Sequence, residues 1–218
     1  IKEGLKMDGF LIRNGERVVF IGDSITDAGR DGDPNGLGYG YVSIIATLVT
    51  VAYPDRKIQF INKGIGGNRI VELRERWQED VIDLKPDWVS ISIGINDVWR
   101  RFDGRPHMAV PLNDFIAIYR TLIEETLRFT RANLILMETS VIGEELENRP
   151  NRVLSPYNEA IRGFARNYDT ILVPVNRAFR RAILSRPGFR WTEDGVHPNP
   201  YGHTLIALTW LKSLGFEV

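Results

Sequence analysis

The chain has 218 residues, 43% of them hydrophobic and 26% charged, the proportions of an ordinary globular protein. Its 28 Lys and Arg balance 28 Asp and Glu, which argues against a broad nucleic-acid surface or a general attraction to anionic membranes. The lack of cysteine excludes disulfides, thiolate zinc sites, iron–sulfur clusters and cysteine nucleophiles together.

A chain of this length buries roughly 70% of its unfolded surface and needs no staple to hold a core. No repeat, low-complexity tract or linker divides it, so a single domain over residues 1–218 is expected. Residues 1–8 lack an apolar core with a small-residue cleavage site. No stretch approaches the roughly 20 apolar residues of a membrane span. The expectation is a soluble, cytoplasmic protein, with an already removed leader left open.

Five β-rich runs occur at 17–21, 57–62, 87–93, 133–137 and 170–175. Most are nearly continuous apolar stretches, as strands covered on both faces require. Helical spacing lies between them. It appears in Ile70, Leu73, Trp77, Val81 and Leu84, then in Leu112, Phe115, Ile116, Tyr119, Leu122 and Ile123. It returns in Tyr157, Ile161, Phe164, Ala165 and Tyr168. Ser155-Pro156 reads as an N-cap followed by proline in the first turn. The segment 29–40 reads as a loop, the segment 143–154 as a surface excursion, and 201–214 as a closing helix. Strands alternating with helices predict an α/β fold with a parallel sheet covered on both sides.

In such sheets ligands bind beyond the carboxyl ends of the strands, where the strand order reverses. The residues after the first three strands are Gly22-Asp23-Ser24-Ile25-Thr26, 62–68 and Gly94-Ile95-Asn96-Asp97, and Asp194-Gly195-Val196-His197-Pro198 precedes the last helix. Taken alone, Ser24 is a helix N-cap, Asp23 a turn residue and Asn96 a cap of the next helix. Of three histidines, His107 lies in a proline-flanked surface loop and His203 opens the last helix, both with structural readings. His197 differs, because Asp194 three residues earlier can turn its carboxylate onto Nδ1 and support a positive imidazole. Gly64 and Gly66 begin a dinucleotide fingerprint, but Arg69 stands where its third glycine belongs, and no phosphate-binding P-loop is present. The glycines instead offer exposed N–H groups suited to an oxyanion. A serine, a histidine with its carboxylate, a glycine amide and an asparagine amide together supply the parts of acyl transfer through serine.

In these residues the chain resembles the SGNH, or GDSL-type, serine hydrolase superfamily. It carries Gly22-Asp23-Ser24, Gly67, Gly94-Ile95-Asn96-Asp97 and Asp194-Gly195-Val196-His197 in the superfamily's order. It departs from the usual pattern in Ile25, where leucine is common. Within the superfamily it looks most like the carbohydrate-esterase branch of intracellular acetylxylan esterases. The stretches carrying that likeness are Phe20-Ile21-Gly22-Asp23-Ser24-Ile25-Thr26-Asp27, Asn62-Lys63-Gly64-Ile65 and the run from Lys85 through Asp97 to Arg100.

The resemblance implies a three-layer, flavodoxin-like α/β/α sandwich on a five-stranded parallel sheet. It implies Ser24 as nucleophile, His197 as base, Asp194 as its orienting group, and an oxyanion hole from the Ser24 and Gly67 N–H groups and the Asn96 amide. It implies removal of acetyl groups from acylated sugars with no metal or cofactor. General short-chain esterase, lysophospholipase or thioesterase activity, acyl transfer, and a silent carbohydrate-binding scaffold are the alternatives. Asp23, Trp99 and Trp191 are expected as substrate-lining residues, with Phe102 beside them; packing is the competing reading for the three aromatics. The expected partner is a small acylated sugar or ester, with no nucleic acid and no membrane, and a homo-oligomer by analogy with the branch. The 29–40 loop reads equally as a lid or a connection.

Overall fold

The computed structural model describes residues 9–217, so the expectation for residues 1–8 lies outside it. Five strands, β1 (Arg17–Gly22), β2 (Gln59–Gly64), β3 (Trp88–Ser92), β4 (Asn133–Met137) and β5 (Ile171–Val173), form one sheet. Their order is β2-β1-β3-β4-β5 and every pairing is parallel. This is the expected flavodoxin-like order, and it reverses direction between β1 and β3.

The principal helices are α1 (Ser24–Asp27), α2 (Tyr41–Ala52), α3 (Ile70–Trp77), α4 (Ile95–Trp99), α5 (Leu112–Phe129), α6 (Arg149–Asn167), α7 (Val175–Ser185) and α8 (Pro200–Ser213). Helix α8 packs on α2 and α7, while α5 packs on α3 and α6. Right-handed crossovers place these two groups on opposite faces of the sheet. β1 and β3 are buried along nearly their whole length, which explains their continuous apolar sequence. Phe20 of β1 packs between Tyr41 of α2 and Trp210 of α8, and the Trp210 indole donates to Ser90 Oγ on β3 at 3.0 Å. Among the described residues, no helix is long and apolar enough to cross a membrane.

The strand positions agree with the sequence within a few residues, and the differences have local causes. β2 starts at Gln59 and not at Lys57, whose N–H is taken by the Asn14 side chain at 2.8 Å. It runs on to Gly64, paired with Gly22 at the end of β1. A side chain at Gly64 would collide with the backbone of Thr26 and Asp27. Glycine there lets α1 lie directly against β2, the kind of close backbone approach that glycine permits. β5 stops at Val173 because α7 begins two residues later.

Two helices depart further. The apolar spacing from Ile70 to Leu84 is split between α3 and one wide π-turn over Gln78–Ile82. Trp77 and Val81 stay buried on either side of the junction, and the Trp77 indole bonds Thr126 Oγ1. Helix α6 does not begin at Ser155-Pro156. Asn148 caps it seven residues earlier, accepting from the Asn151 N–H at 2.7 Å, and Pro150 supplies the first-turn proline. Pro156 lies inside the helix at the cost of one backbone bond. Burial of Asn151, Leu154, Tyr157, Asn158 and Ile161 along one face carries the helix through it. The expected 143–154 excursion is therefore a short connection followed by helix.

Candidate active site

Ser24 is the first residue of α1, and the cap is its neighbour. Asp23 Oδ1 accepts from the Ile25 N–H at 2.9 Å. As the first helical residue, Ser24 has no carbonyl within its own helix for its N–H. Its hydroxyl lies 2.9 Å from His197 Nε2. This corrects the N-cap reading of Ser24 and also the expectation that Asp23 lines the substrate face. Asp23 is only 2% exposed. Burial pushes its carboxyl up to about 7, against its hydrogen bond to Ile25 and the nearby His197 and Arg100.

His197 and Asp194 share the loop that leads into α8. Asp194 Oδ2 lies 2.7 Å from His197 Nδ1, and Oδ1 accepts the N–H groups of Val196 at 2.9 Å and His197 at 2.8 Å. Partial burial works against ionisation, but those bonds and the imidazole outweigh it and bring the Asp194 carboxyl down to about 2. With Nδ1–H donated to Asp194, Nε2 faces Ser24 with its lone pair. The side chains of His197 and Asp194 are 48% and 55% exposed, so the pair opens directly to solvent.

The loop is held from a place the sequence did not single out. Thr192 and Pro198 form an antiparallel bridge, and Glu193 N–H donates to the His197 carbonyl. Glu144 Oε1 accepts from the N–H groups of Trp191 and Thr192 at 3.1 and 3.0 Å and from the Thr192 hydroxyl at 2.6 Å. Thr192 Oγ1 in turn accepts from Gly195 N–H, while Gly143 N–H donates to the Gly195 carbonyl. The Glu144 carboxyl lies below its ordinary range: burial opposes this, and the Thr192 and Trp191 donors overcome it. Glu144 follows the carboxyl end of β4, which is the signal that marks it.

Two further segments follow the strands flanking β1. A Cβ placed on Gly66, after β2, would lie 4.0 Å from Ser24 Cβ, so this loop packs against the serine. Gly66 N–H donates to Asp27 Oδ2, Asn68 N–H donates to the Ile65 carbonyl, and Gly67 stands between them at φ +81. That left-handed conformation favours glycine. Asn96 is the second residue of α4 and not its cap; the cap position is Gly94. One Asn96 amide N–H goes to the Asn68 carbonyl at 3.1 Å, leaving the second donor of the amide. The next residue, Asp97, accepts from Ile70 N–H at the start of α3.

The other candidates fall elsewhere. Trp99, Phe102 and Trp191 are half-buried and pack against the core; Trp191 meets Phe189 edge-on. His203 is the fourth residue of α8, and its Nδ1 accepts from Tyr41 N–H at 3.2 Å. Burial, then the neighbouring His197, push its pKa down to about 4. His107 lies in an exposed 3-10 turn. The 29–40 loop is tied internally: Asp33 accepts from Asn35, Leu37 and Gly38 N–H groups, and Asn62 Nδ2 holds the Leu37 carbonyl.

Residues 20–205 match the model of the GDSL-like lipase/acylhydrolase family. An acetylxylan esterase of Geobacillus stearothermophilus is 37% identical over 214 residues, covering 94% of this chain and 97% of that protein. A solved catalytic mutant of Axe2, an acetylxylan esterase from the same organism, superposes with a TM-score of 0.89 at 36% identity, covering 95% and 97% of the two chains. LAE5, an alpha/beta hydrolase from the metagenome of Lake Arreo, Spain, also gives 0.89, at 34% identity and 95% and 98% coverage.

Proposed function

Because the chain belongs to the GDSL-like lipase/acylhydrolase family, we propose that it is a serine esterase removing acetyl groups from acylated sugars such as xylo-oligosaccharides. Ser24 Oγ attacks the acyl carbon while His197 Nε2 takes its proton, and Asp194 steadies the resulting imidazolium. The carbonyl oxygen becomes an oxyanion beside the N–H groups of Ser24 and Gly67 and the free Asn96 amide N–H. Collapse expels the sugar oxygen, which takes the proton from His197 and leaves acyl-serine. Water then attacks the acyl carbon, giving its proton to His197, and the second collapse returns that proton to Ser24 and releases acetate.

The observation that carries this reading is the continuous contact from Ser24 Oγ through His197 to Asp194, 2.9 and then 2.7 Å. It is the relay a serine nucleophile needs. The substrate class is supported by likeness to acetylxylan esterases over nearly the whole chain. The half-exposed His197 agrees with it, since a leaving group as large as an oligosaccharide needs an open approach. In this reading Trp99 and Trp191 flank the sugar with their exposed edges, and residues 1–218 act as one hydrolase domain.

The test compares an aryl acetate with an acetylated xylo-oligosaccharide, using wild type and Ser24→Ala. Cleavage of both, lost in the variant, is the expected result. Cleavage of the aryl ester alone keeps the serine chemistry and rejects the sugar. Activity retained in Ser24→Ala rejects the mechanism.

A further inference from the structure

The buried guanidinium of Arg100 has no place in the steps above, yet it touches the oxyanion machinery. Its side chain is 8% exposed. Nη1 donates to Asp103 Oδ2 at 2.7 Å, and Nη2 donates to the carbonyl of Gly67 at 3.1 Å. Nε has no partner among the described residues. A Cβ on Gly67 would lie 3.2 Å from Nη2, so the guanidinium packs directly over that residue. Burying a cation is costly unless its charge is used. Here one carboxylate and one glycine carbonyl use it.

The surroundings show what the contact controls. Residues 96, 97 and 100, in and just after α4, grip successive points of the segment after β2. Asn96 holds the Asn68 carbonyl, Asp97 holds the Ile70 N–H, and Arg100 holds the Gly67 carbonyl. On the other side, Gly66 N–H is held by Asp27. The Gly66–Gly67 peptide, which carries the Gly67 N–H, therefore lies between two anchored peptides, Ile65–Gly66 held by Asp27 and Gly67–Asn68 held by Arg100, at a φ that favours glycine. Among the three grips, only that of Arg100 brings a positive charge to the residue that supplies an oxyanion donor.

We infer that Arg100 is a positioning residue of the oxyanion hole, which aims the Gly67 N–H and places a fixed positive charge behind it. The inference rests on the assignment of Gly67 and Asn96 as oxyanion donors. Preorganised charge of this kind acts on the transition state more than on bound substrate.

The test measures kcat and KM on an aryl acetate, and inhibition by phenylboronic acid, whose tetrahedral serine adduct places an oxygen in the hole. Arg100→Met should lower kcat by on the order of 10- to 100-fold with KM within about twofold. Boronate affinity should weaken by the same factor as kcat/KM, and Arg100→Lys should recover part of both. If Arg100→Met does not fold, Asp103→Asn serves: it leaves the Gly67 contact but frees the guanidinium, and should lower kcat and boronate affinity together by a smaller factor. Asn96→Ala runs alongside. A fall of kcat in Asn96→Ala with unchanged kcat in the Arg100 and Asp103 variants overturns this inference alone. Unchanged kcat and boronate affinity in Asn96→Ala overturns the oxyanion-hole assignment beneath it. A rise in KM at constant kcat, or a fall in kcat without loss of boronate affinity, makes Arg100 a ground-state or purely structural residue and also overturns the inference.

Discussion

Replacing Glu144 by alanine removes the acceptor for three donors on the loop that carries Asp194 and His197, namely the N–H groups of Trp191 and Thr192 and the Thr192 hydroxyl. Hydrogen bonds to a charged acceptor contribute about 1.5–3 kcal/mol each when shielded. Glu144 is only partly shielded, so water recovers much of this, and about 1 kcal/mol per bond is the appropriate share. The loss is then about 3 kcal/mol, which lowers Tm by roughly 6–12 °C for a chain of this size. The loop also keeps His197 within reach of Ser24, so kcat should fall on the order of 10- to 100-fold at temperatures where the variant is folded. Glu144→Gln retains an oxygen acceptor without the charge and should recover about half of the stability loss. Thermal unfolding followed by circular dichroism, with kcat on an aryl acetate at 25 °C, measures both. A lowered Tm with wild-type kcat would show that the loop positions His197 without Glu144, and unchanged Tm would remove the anchoring argument altogether.

Four further outcomes follow from the same geometry. Asp194→Asn should fold normally but lose roughly 10³- to 10⁴-fold in kcat, because the amide no longer demands a proton on Nδ1; a loss under tenfold would refute the role given to that carboxylate. Asn96→Ala should lower kcat by about 10²- to 10³-fold with little change in KM, read from initial rates, and a changed KM alone would make Asn96 a ground-state binder. Asp194, with its carboxyl depressed to about 2, stabilises the fold above its ordinary 3.8 and loses that contribution as pH falls through about 2; the Tm difference between wild type and Asp194→Asn should therefore shrink as pH is lowered from about 4 to about 2, and a constant difference across that window contradicts it. Asp97 has the opposite sign, since burial raises its carboxyl from 3.8 to about 7. Its contribution is full below about 4 and lost as pH rises through about 7, so Asp97→Asn should flatten the fall in Tm across that window, and an unaltered slope would count against it.

The centre of the sheet was legible because β1 and β3 are buried on both faces and their sequence is mostly apolar. Their ends were less so. Gly64 belongs to β2 only because Gly22 lies beside it and α1 leaves no room for a side chain, a contact between residues far apart in the chain. The start of α6 was misplaced because Ser155-Pro156 and Asn148-Arg149-Pro150 carry the same local signal. Burial of Asn151 and Leu154, which selects the earlier one, is a tertiary fact.

The site shows the same division at closer range. That Ser24, His197 and Asp194 meet could be anticipated from short motifs because the Asp–His pairing is local, three residues apart on one tight loop. Asp23, expected as a turn residue or at the substrate face, is almost fully buried. Its own side chain turns inward to cap α1, and by capping it frees the Ser24 hydroxyl to face His197. Glu144 and Arg100 escaped for the converse reason. Glu144 lies in a segment read as a surface excursion and Arg100 closes a run read only for its likeness to a family, and each acts across a gap of more than thirty residues on a loop it does not belong to. A motif can suggest which groups react, but the precision with which they meet depends on side chains that grip the backbone of neighbouring loops. Those are found by asking where each loop's buried carbonyls and N–H groups end, an accounting that requires the folded chain.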